Sequence, residues 1–324
     1  MPAPTYDVVG LGNALVDVIS HEGDDFLGRH GLVKGSMALI DHDRAADLYG
    51  AMGVGTEMSG GSAANTVAGV ASFGGRAAFV GKVSDDELGR VFAHDLPANG
   101  VTFAARPATG GLPTGRCLVV VTADAERTMS TFLGAGGELG PEDIAPAVIA
   151  AAQVVYLEGY LFDSPEAKEA YRTASRVAHE AGRRVALTLS DSFCVERHLA
   201  EWVVLVDEQV DVLFGNAEEV QVLCGSGFDE AVRQLRDQVE IAVITKGASG
   251  SVIVTADELI EVPAEEVESV VDTTGAGDLY AAGFLYGYTA GRPLAECGRL
   301  GSRAAAEVIG HTGARPLVPL SDLA

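Results

Sequence analysis

Basic residues are scarce in this chain: 22 Lys and Arg stand against 46 Asp and Glu, a net charge of −24. A surface of that sign repels phosphate backbones and anionic bilayers, which argues against nucleic-acid and membrane partners. It still allows a bound polyphosphate, because helix N-termini, a metal ion and a few Arg or Lys supply positive potential locally. Cysteine is scarce too. Cys117, Cys194, Cys224 and Cys297 are scattered with no CxxC or His-paired spacing, as expected for reduced thiols of a cytoplasmic protein. No apolar run approaches the ~18 residues of a membrane span. The first ten residues lack a basic segment followed by an apolar one, so no secretory signal is read and the expected location is cytoplasmic. The seven His are unconnected and no HExxH occurs, so no tight metal site is assigned. Two familiar phosphate loops are missing as well. Lys82 and Lys246 lack the upstream glycines and following hydroxyl of GxxxxGK[ST], and Leu15 stands where a dinucleotide fingerprint beginning at Gly10 needs its third glycine.

What is present is alternation. "YDVVGLG", "RAAFVGKV", "AQVVYLEG", "RRVALTLS", "VDVLFGN" and "EIAVITKG" are apolar strand-like runs ending at Gly or a polar residue. Helical stretches fall at Ser62–Gly75, at "SDDELGRVFAHDLPANG", and at Pro165–Ala181, Cys194–Gln209 and Asn216–Val239. Such alternation predicts an α/β fold with a mostly parallel central sheet flanked by helices on both faces. Two segments, about 14–42 and 101–133, are strand-prone without helices between the strands. They are expected to pair as a small antiparallel β-sheet lid inserted in a single domain spanning 1–324. Ligands of open α/β sheets sit beyond the carboxyl ends of the strands, where such a flap would cover them.

Four constellations carry chemistry. In "DTTGAGD", Gly275, Ala276 and Gly277 precede or open a helix, so their N–H groups lack helical partners and form an anion hole. Asp278 follows at once and is placed to accept a proton from an attacking hydroxyl while the amides hold a phosphoryl group. A glycine-rich loop with an acidic first turn is the ordinary alternative. In "MSGGSAANTVAG", Gly60 and Gly61 precede a helix whose first turn offers Ser62 and Asn65, which suits a polyhydroxylated ligand or, equally, a capped helix in close contact with a strand. In "FGNAEEV", Asn216 and Glu219 lie on one helix face and fit water around Mg²⁺; an N-capped helix with acidic residues explains them too. In "VITKGASGSVIV", Thr245 and Gly247 end a strand at a hairpin-like return, where a nucleotide contact or a plain turn fits.

Taken in order, "GLGNALVDVI", "GGSAANT", "PTGRC", "FGNAEEV", "VITKGASG", "DTTGAGD" and "TGARP" resemble the ribokinase-like (PfkB) family of sugar and nucleoside kinases over nearly the whole chain. The resemblance implies an α/β core with a β-lid, ATP and Mg²⁺. It makes Asp278 the base and Gly275–Gly277 the anion hole. It places Asp17, Gly60, Gly61, Ser62 and Asn65 on substrate hydroxyls, gives Thr245, Gly247 and Asn216 to ATP, and gives Asn216 with Glu219 to Mg²⁺, through water. Some relatives also bind a monovalent cation near the anion hole.

Within the family, "GNALVDVI", "PTGRC" and "LTLSDSF" are similar to adenosine kinase segments, which makes Asn13 and Asp17 the nucleoside contacts. The implied reaction is ATP-dependent phosphorylation of the primary hydroxymethyl group of a ribonucleoside, adenosine first, as in purine salvage. Glu158 in "YLEGYLF" instead matches the carboxylate that sugar-kinase relatives apply to a sugar hydroxyl, or is a buried structural acid with a partner. The alternative substrate is therefore a free sugar or derivative such as ribose, fructose or 2-keto-3-deoxygluconate. Ala14 replaces the adenosine kinases' proline, and Asp191 stands where they carry a small neutral residue, either repelling phosphate or pointing outwards. Arg127 meets either phosphate oxygens or solvent. The unpaired edges of a β-lid invite a homodimer.

Overall fold

The computed structural model describes residues 3–103, 105, 107–124 and 126–324. Its strands are Tyr6–Leu11 (β1), Leu15–His21 (β2), Met37–Leu39 (β3), Thr56–Gly60 (β4), Ala77–Val80 (β5), Val101–Phe103 (β6) and Gly115–Val121 (β7). After them come Arg127–Phe132 (β8), Ala152–Glu158 (β9), Arg184–Thr188 (β10), Val212–Asn216 (β11), Ile241–Thr245 (β12), Ser251–Val254 (β13) and Leu259–Val262 (β14). The six apolar runs, joined by β6, β13 and β14, form a nine-stranded sheet in the order β14-β13-β12-β11-β10-β9-β1-β5-β6. It is parallel from β6 to β12, and β13 and β14 continue it as an antiparallel return.

Both faces of this sheet are covered, which is why its strands read as unbroken apolar runs rather than as alternation. Val8, Phe79, Tyr156 and Val243 pack on one side with the helices Ser62–Ser72, Ala276–Thr289 and Leu294–Ile309. Val9, Leu11, Val155 and Leu187 pack on the other with Pro165–Glu180 and Leu199–Gln209. Two long helical stretches are each broken in two. His198 separates Ser192–Arg197 from Leu199–Gln209, and Gly225, left-handed at φ 58°, ends Ala217–Cys224 before Phe228–Gln238 begins.

The second sheet has five strands in the order β3-β8-β7-β2-β4. The sequence pattern predicts an antiparallel sheet from two helix-free segments; the observed sheet is mixed. β2 runs parallel to β7 and β3 to β8, while β7/β8 and β2/β4 are antiparallel. A helix, Asp24–His30, lies inside the first segment, with acids in its first turn, Arg29 and His30 in its last, and Phe26 and Leu27 buried beside Val120. Its seven residues are too few to show helical periodicity against flanking strands. β4 joins from outside the two segments, and β6 leaves the second to pair with β5 at the edge of the central sheet. Among the described residues no helix is long and apolar enough to cross a membrane, and the four cysteines are free.

Candidate active site

The parallel strands aim their carboxyl ends at one place. β1 ends just before Asn13, β9 at Glu158, β11 at Asn216 and β12 at Thr245, and the second sheet stands over them. Between the sheets lies a cavity of about 820 Å³. It is lined by Asn13, Asp17, Gly61, Ser62, Asn65 and Glu158 on one side, and by Asn216, Glu219, Thr245 and Gly275–Asp278 on the other. Two of the residues singled out in the sequence stand off this wall. Gly60 backs Asp17, and a Cβ there would come 2.3 Å from the carboxylate. Gly247 faces an adjoining shallow cavity of about 520 Å³ that shares Asn216 and Thr245.

Gly275 caps the helix Ala276–Thr289 in the left-handed region, at φ 78°. A Cβ would also come 2.7 Å from that of Ala314, so backbone conformation and crowding both demand glycine. One expectation needs correcting: the Ala276 N–H is not free, because it donates to the Thr273 carbonyl at 3.2 Å in the turn that starts the helix. Among the described residues, no protein group takes the amides of Gly275 and Gly277. A Cβ on Gly277 would meet only open space. What this helix end offers an anion therefore comes down to these flanking amides and the helix dipole.

Asp278 faces inward. Its Oδ1 accepts from Ser62 Oγ at 2.6 Å and its Oδ2 from Asn65 Nδ2 at 2.9 Å. Burial pushes the carboxyl above its usual range, opposed by these two donors and the Arg315 charge. Asn65 Oδ1 is buried and unpartnered, leaving one acceptor for a ligand. Asp17 points off β2 into the cavity, and burial raises it to about 6 against the pull of Arg315 and Arg127. Glu158, 1% exposed, is raised to about 7 by burial. Its oxygens accept from the Asn13 N–H and Nδ2 and from the Ala63 N–H.

Asn216 and Glu219 form a capping box. Asn216 Oδ1 accepts from the Glu218 and Glu219 amides, and the Glu219 carboxylate accepts from the Asn216 N–H at 2.9 Å and Nδ2 at 2.7 Å. Burial raises Glu219 to about 7. Among the described residues no cluster of three His, Cys, Asp or Glu is spaced to ligate a metal directly. One cavity-facing carboxylate with lone pairs to spare fits Mg²⁺ held through its own waters and does not fit a closed protein cage.

Asp191 caps the helix Ser192–Arg197, accepting from the Phe193 and Cys194 amides. Arg127 is not solvated. It makes a buried ion pair with Asp272 at 3.0 Å, and its Nη2 is buried without a partner.

Two residues carry more than their motifs signalled. Asp272 accepts from the Thr274 N–H and hydroxyl and from the Gly313 N–H as well as from Arg127, tying β8, the helix start and the C-terminal segment together. Arg315 donates to the carbonyls of Ala64 and Ser59 and to the Ser59 hydroxyl. Both lie inside "DTTGAGD" and "TGARP", but apart from Thr274 their partners are about 40 to 260 positions away in sequence.

This arrangement has close counterparts. The description "pfkB family carbohydrate kinase" matches residues 36–320. The adenosine kinase of Sinorhizobium meliloti is 52% identical with a TM-score of 0.91, covering 98% of each chain. A probable sugar kinase of Rhizobium etli is 48% identical with the same TM-score, over 99% of this chain and 98% of that one. A 5-dehydro-2-deoxygluconokinase of Listeria monocytogenes serotype 4b is 30% identical over 276 residues, 81% of this chain and 84% of that protein. With these matches the chain belongs to the pfkB family of carbohydrate kinases and is a phosphotransferase.

Proposed function

We propose that the protein transfers the γ-phosphoryl group of ATP to the primary hydroxymethyl group of a ribonucleoside, adenosine first, as a step of purine salvage. The observation that carries the nucleoside is the inner face of the second sheet. Along β2 the side chains lining the cavity are Leu15, Asp17 and Ile19; β3 adds Met37 and Leu39, β4 Met58, and β8 Met129. Asp17 is the one carboxylate of a wall that is otherwise mainly thioether and aliphatic, its other polar members being Arg127 and Thr131 of β8 and Cys117 of β7. Asp17 suits a pair of ribose hydroxyls, and the apolar wall suits the faces of a planar base, which a free sugar would leave uncovered. The neighbouring adenosine kinase at 52% identity supports the same choice.

In this scheme Asp17 and Asn65 hold the ribose and Asp278 takes the proton from the hydroxymethyl group. The O–H bond breaks as the new O–P bond forms, and the bond from the γ-phosphorus to the departing ADP oxygen is cleaved. The Gly275 and Gly277 amides hold charge on the transferred group, and Arg127, with one free amino group, is positioned to join them. Mg²⁺, when bound through waters on Glu219 and Asn216, supplies neutralisation of the triphosphate charge. The curated relatives at about 30% identity favour a second reading, a sugar derivative in the nucleoside's place. A panel of adenosine, guanosine, inosine, cytidine, ribose, fructose, 2-keto-3-deoxygluconate and 5-dehydro-2-deoxygluconate with ATP and Mg²⁺, scored by ADP release, separates the two. Adenosine is expected to give the highest kcat/KM; turnover of free sugars alone refutes the nucleoside assignment.

A further inference from the structure

Glu158 closes β9 with its carboxylate turned to protein donors. Oε1 accepts from the Asn13 amide N–H at 3.4 Å and from Asn13 Nδ2 at 3.1 Å, and Oε2 accepts from the Ala63 N–H at 2.8 Å. An ionised carboxylate only accepts, so Asn13 must offer it Nδ2, and its Oδ1 is thereby turned the other way. That Oδ1 is buried, has no protein partner, and belongs to a residue lining the cavity. A buried acceptor left unpaired is unfavourable until a ligand donates to it.

We infer that Glu158 is a positioning residue: it locks the Asn13 side-chain amide with its oxygen toward the substrate, so that the site selects a ligand hydroxyl or N–H at that point. This rests on the proposed kinase reaction and gives Glu158 an indirect role in it. The groups facing Glu158 are Asn13 beyond β1, Ala63 at the helix Ser62–Ser72, Tyr156 on its own strand, Tyr160 beyond it, Tyr171 from the helix Pro165–Glu180 and, through space, Asp278. Among the described residues, no Lys, Arg or His hydrogen-bonds or ion-pairs with the carboxylate. Burial sets its titration at about 7. Protonation places a hydrogen against N–H donors, and the conflict is relieved when Asn13 turns its oxygen inward and presents an N–H to the substrate instead.

The test measures adenosine binding by calorimetry without ATP, together with KM and kcat, from about pH 6 to about pH 8 for the wild type, Glu158→Gln and Asn13→Ala. Wild-type affinity is expected to fall by up to about tenfold per pH unit below 7. Glu158→Gln mimics the protonated state: it binds at least about tenfold more weakly, lacks the step near 7, and loses more in KM than in kcat. Asn13→Ala is equally weak and also lacks that step, while a step near 6 from Asp17 persists in both. Wild-type affinity in Glu158→Gln, a loss confined to kcat, or a step near 7 surviving in Asn13→Ala each overturns the inference. The Asn13 arm decides if Glu158→Gln does not fold. A wild type that turns over nothing in the panel refutes the kinase reaction separately. The amide orientation is then read from the Asn13 side-chain ¹H–¹⁵N resonances, whose midpoint near 7 must vanish in Glu158→Gln.

Discussion

Asp278→Asn is the change that bears most directly on the chemistry. The replacement is close to isosteric and its hydrogen bonds survive: the new Oδ1 can accept from Asn65 Nδ2, and the new Nδ2 can donate to Ser62 Oγ, which serves as donor or acceptor. Fold and nucleoside binding are expected to persist while the proton acceptor is gone. Loss of a general base costs ~10²–10⁴ in rate, about 3–5 kcal/mol of transition-state stabilisation. Stability should move the other way. Burial raises the Asp278 pKa above the unfolded value, so the folded state holds its proton more tightly and is destabilised as pH rises above the ordinary carboxylate range. Removing the ionisable group lifts that cost at neutral pH, so the variant's Tm at pH 7.5 should equal or exceed that of the wild type. Single-turnover phosphate transfer, with binding and Tm measured on the same sample, tests both halves. Turnover within a few-fold of wild type refutes the role of Asp278; a large fall in Tm would mean that the rate loss reports unfolding.

Gly275→Ala must adopt a left-handed conformation costing roughly 1–2 kcal/mol and push against Ala314; lower Tm and at least about tenfold lower kcat are expected, and wild-type values of both would refute the packing argument. Arg315→Met removes a buried cation that pulls on Asp17 and Asp278, so the acidic limb of the kcat/KM profile should move to higher pH, whereas Arg315→Lys should retain most of the wild-type position. An unmoved limb in a folded Arg315→Met protein would reduce Arg315 to packing. Asp17 at about 6 and Glu158 and Glu219 at about 7 all lie above the ordinary carboxylate range, so the ligand-free protein binds more protons folded than unfolded between about pH 4 and 7. Its Tm should therefore rise as pH falls from about 8 to about 6, and a falling Tm over that interval in thermal-shift measurements would contradict the assignment.

The central sheet was legible because burial on both faces leaves an unmistakable record: β5 and β13 are buried at every position. The glycine-flanked helix start was legible because Gly-Ala-Gly followed at once by an acid marks a loop turning into a helix, and Gly275 is left-handed there. What escaped was long-range. The partners that satisfy Glu158 lie 145 and 95 positions away, and nothing local to "YLEGYLF" says that its carboxylate will find three amide donors. Strand pairing in the second sheet escaped for the same reason. Alternation shows which face of β2 is apolar, but it does not reveal that β4 flanks it on one side and β7, in parallel, on the other. The capping box at Asn216 and Glu219 was visible as one of two readings, and its geometry accommodates both, since a capped carboxylate retains lone pairs for hydrated Mg²⁺.

The chain steps from the central sheet to the second through Gly12–Ala14 and returns through Gly61, and these two crossings touch: a Cβ on Gly61 would sit 2.2 Å from the Asn13 carbonyl. A second sheet that rocked against the first would pivot at this contact. Asn13 and Ser62 ride on it, whereas Met37 and Met129 lie out along the lever. Rocking the second sheet would resize the thioether end of the chamber and leave the hydroxyl-gripping end almost still. With a nucleoside bound as proposed, an enzyme built this way should be strict about the pentose and forgiving about the ring attached to it.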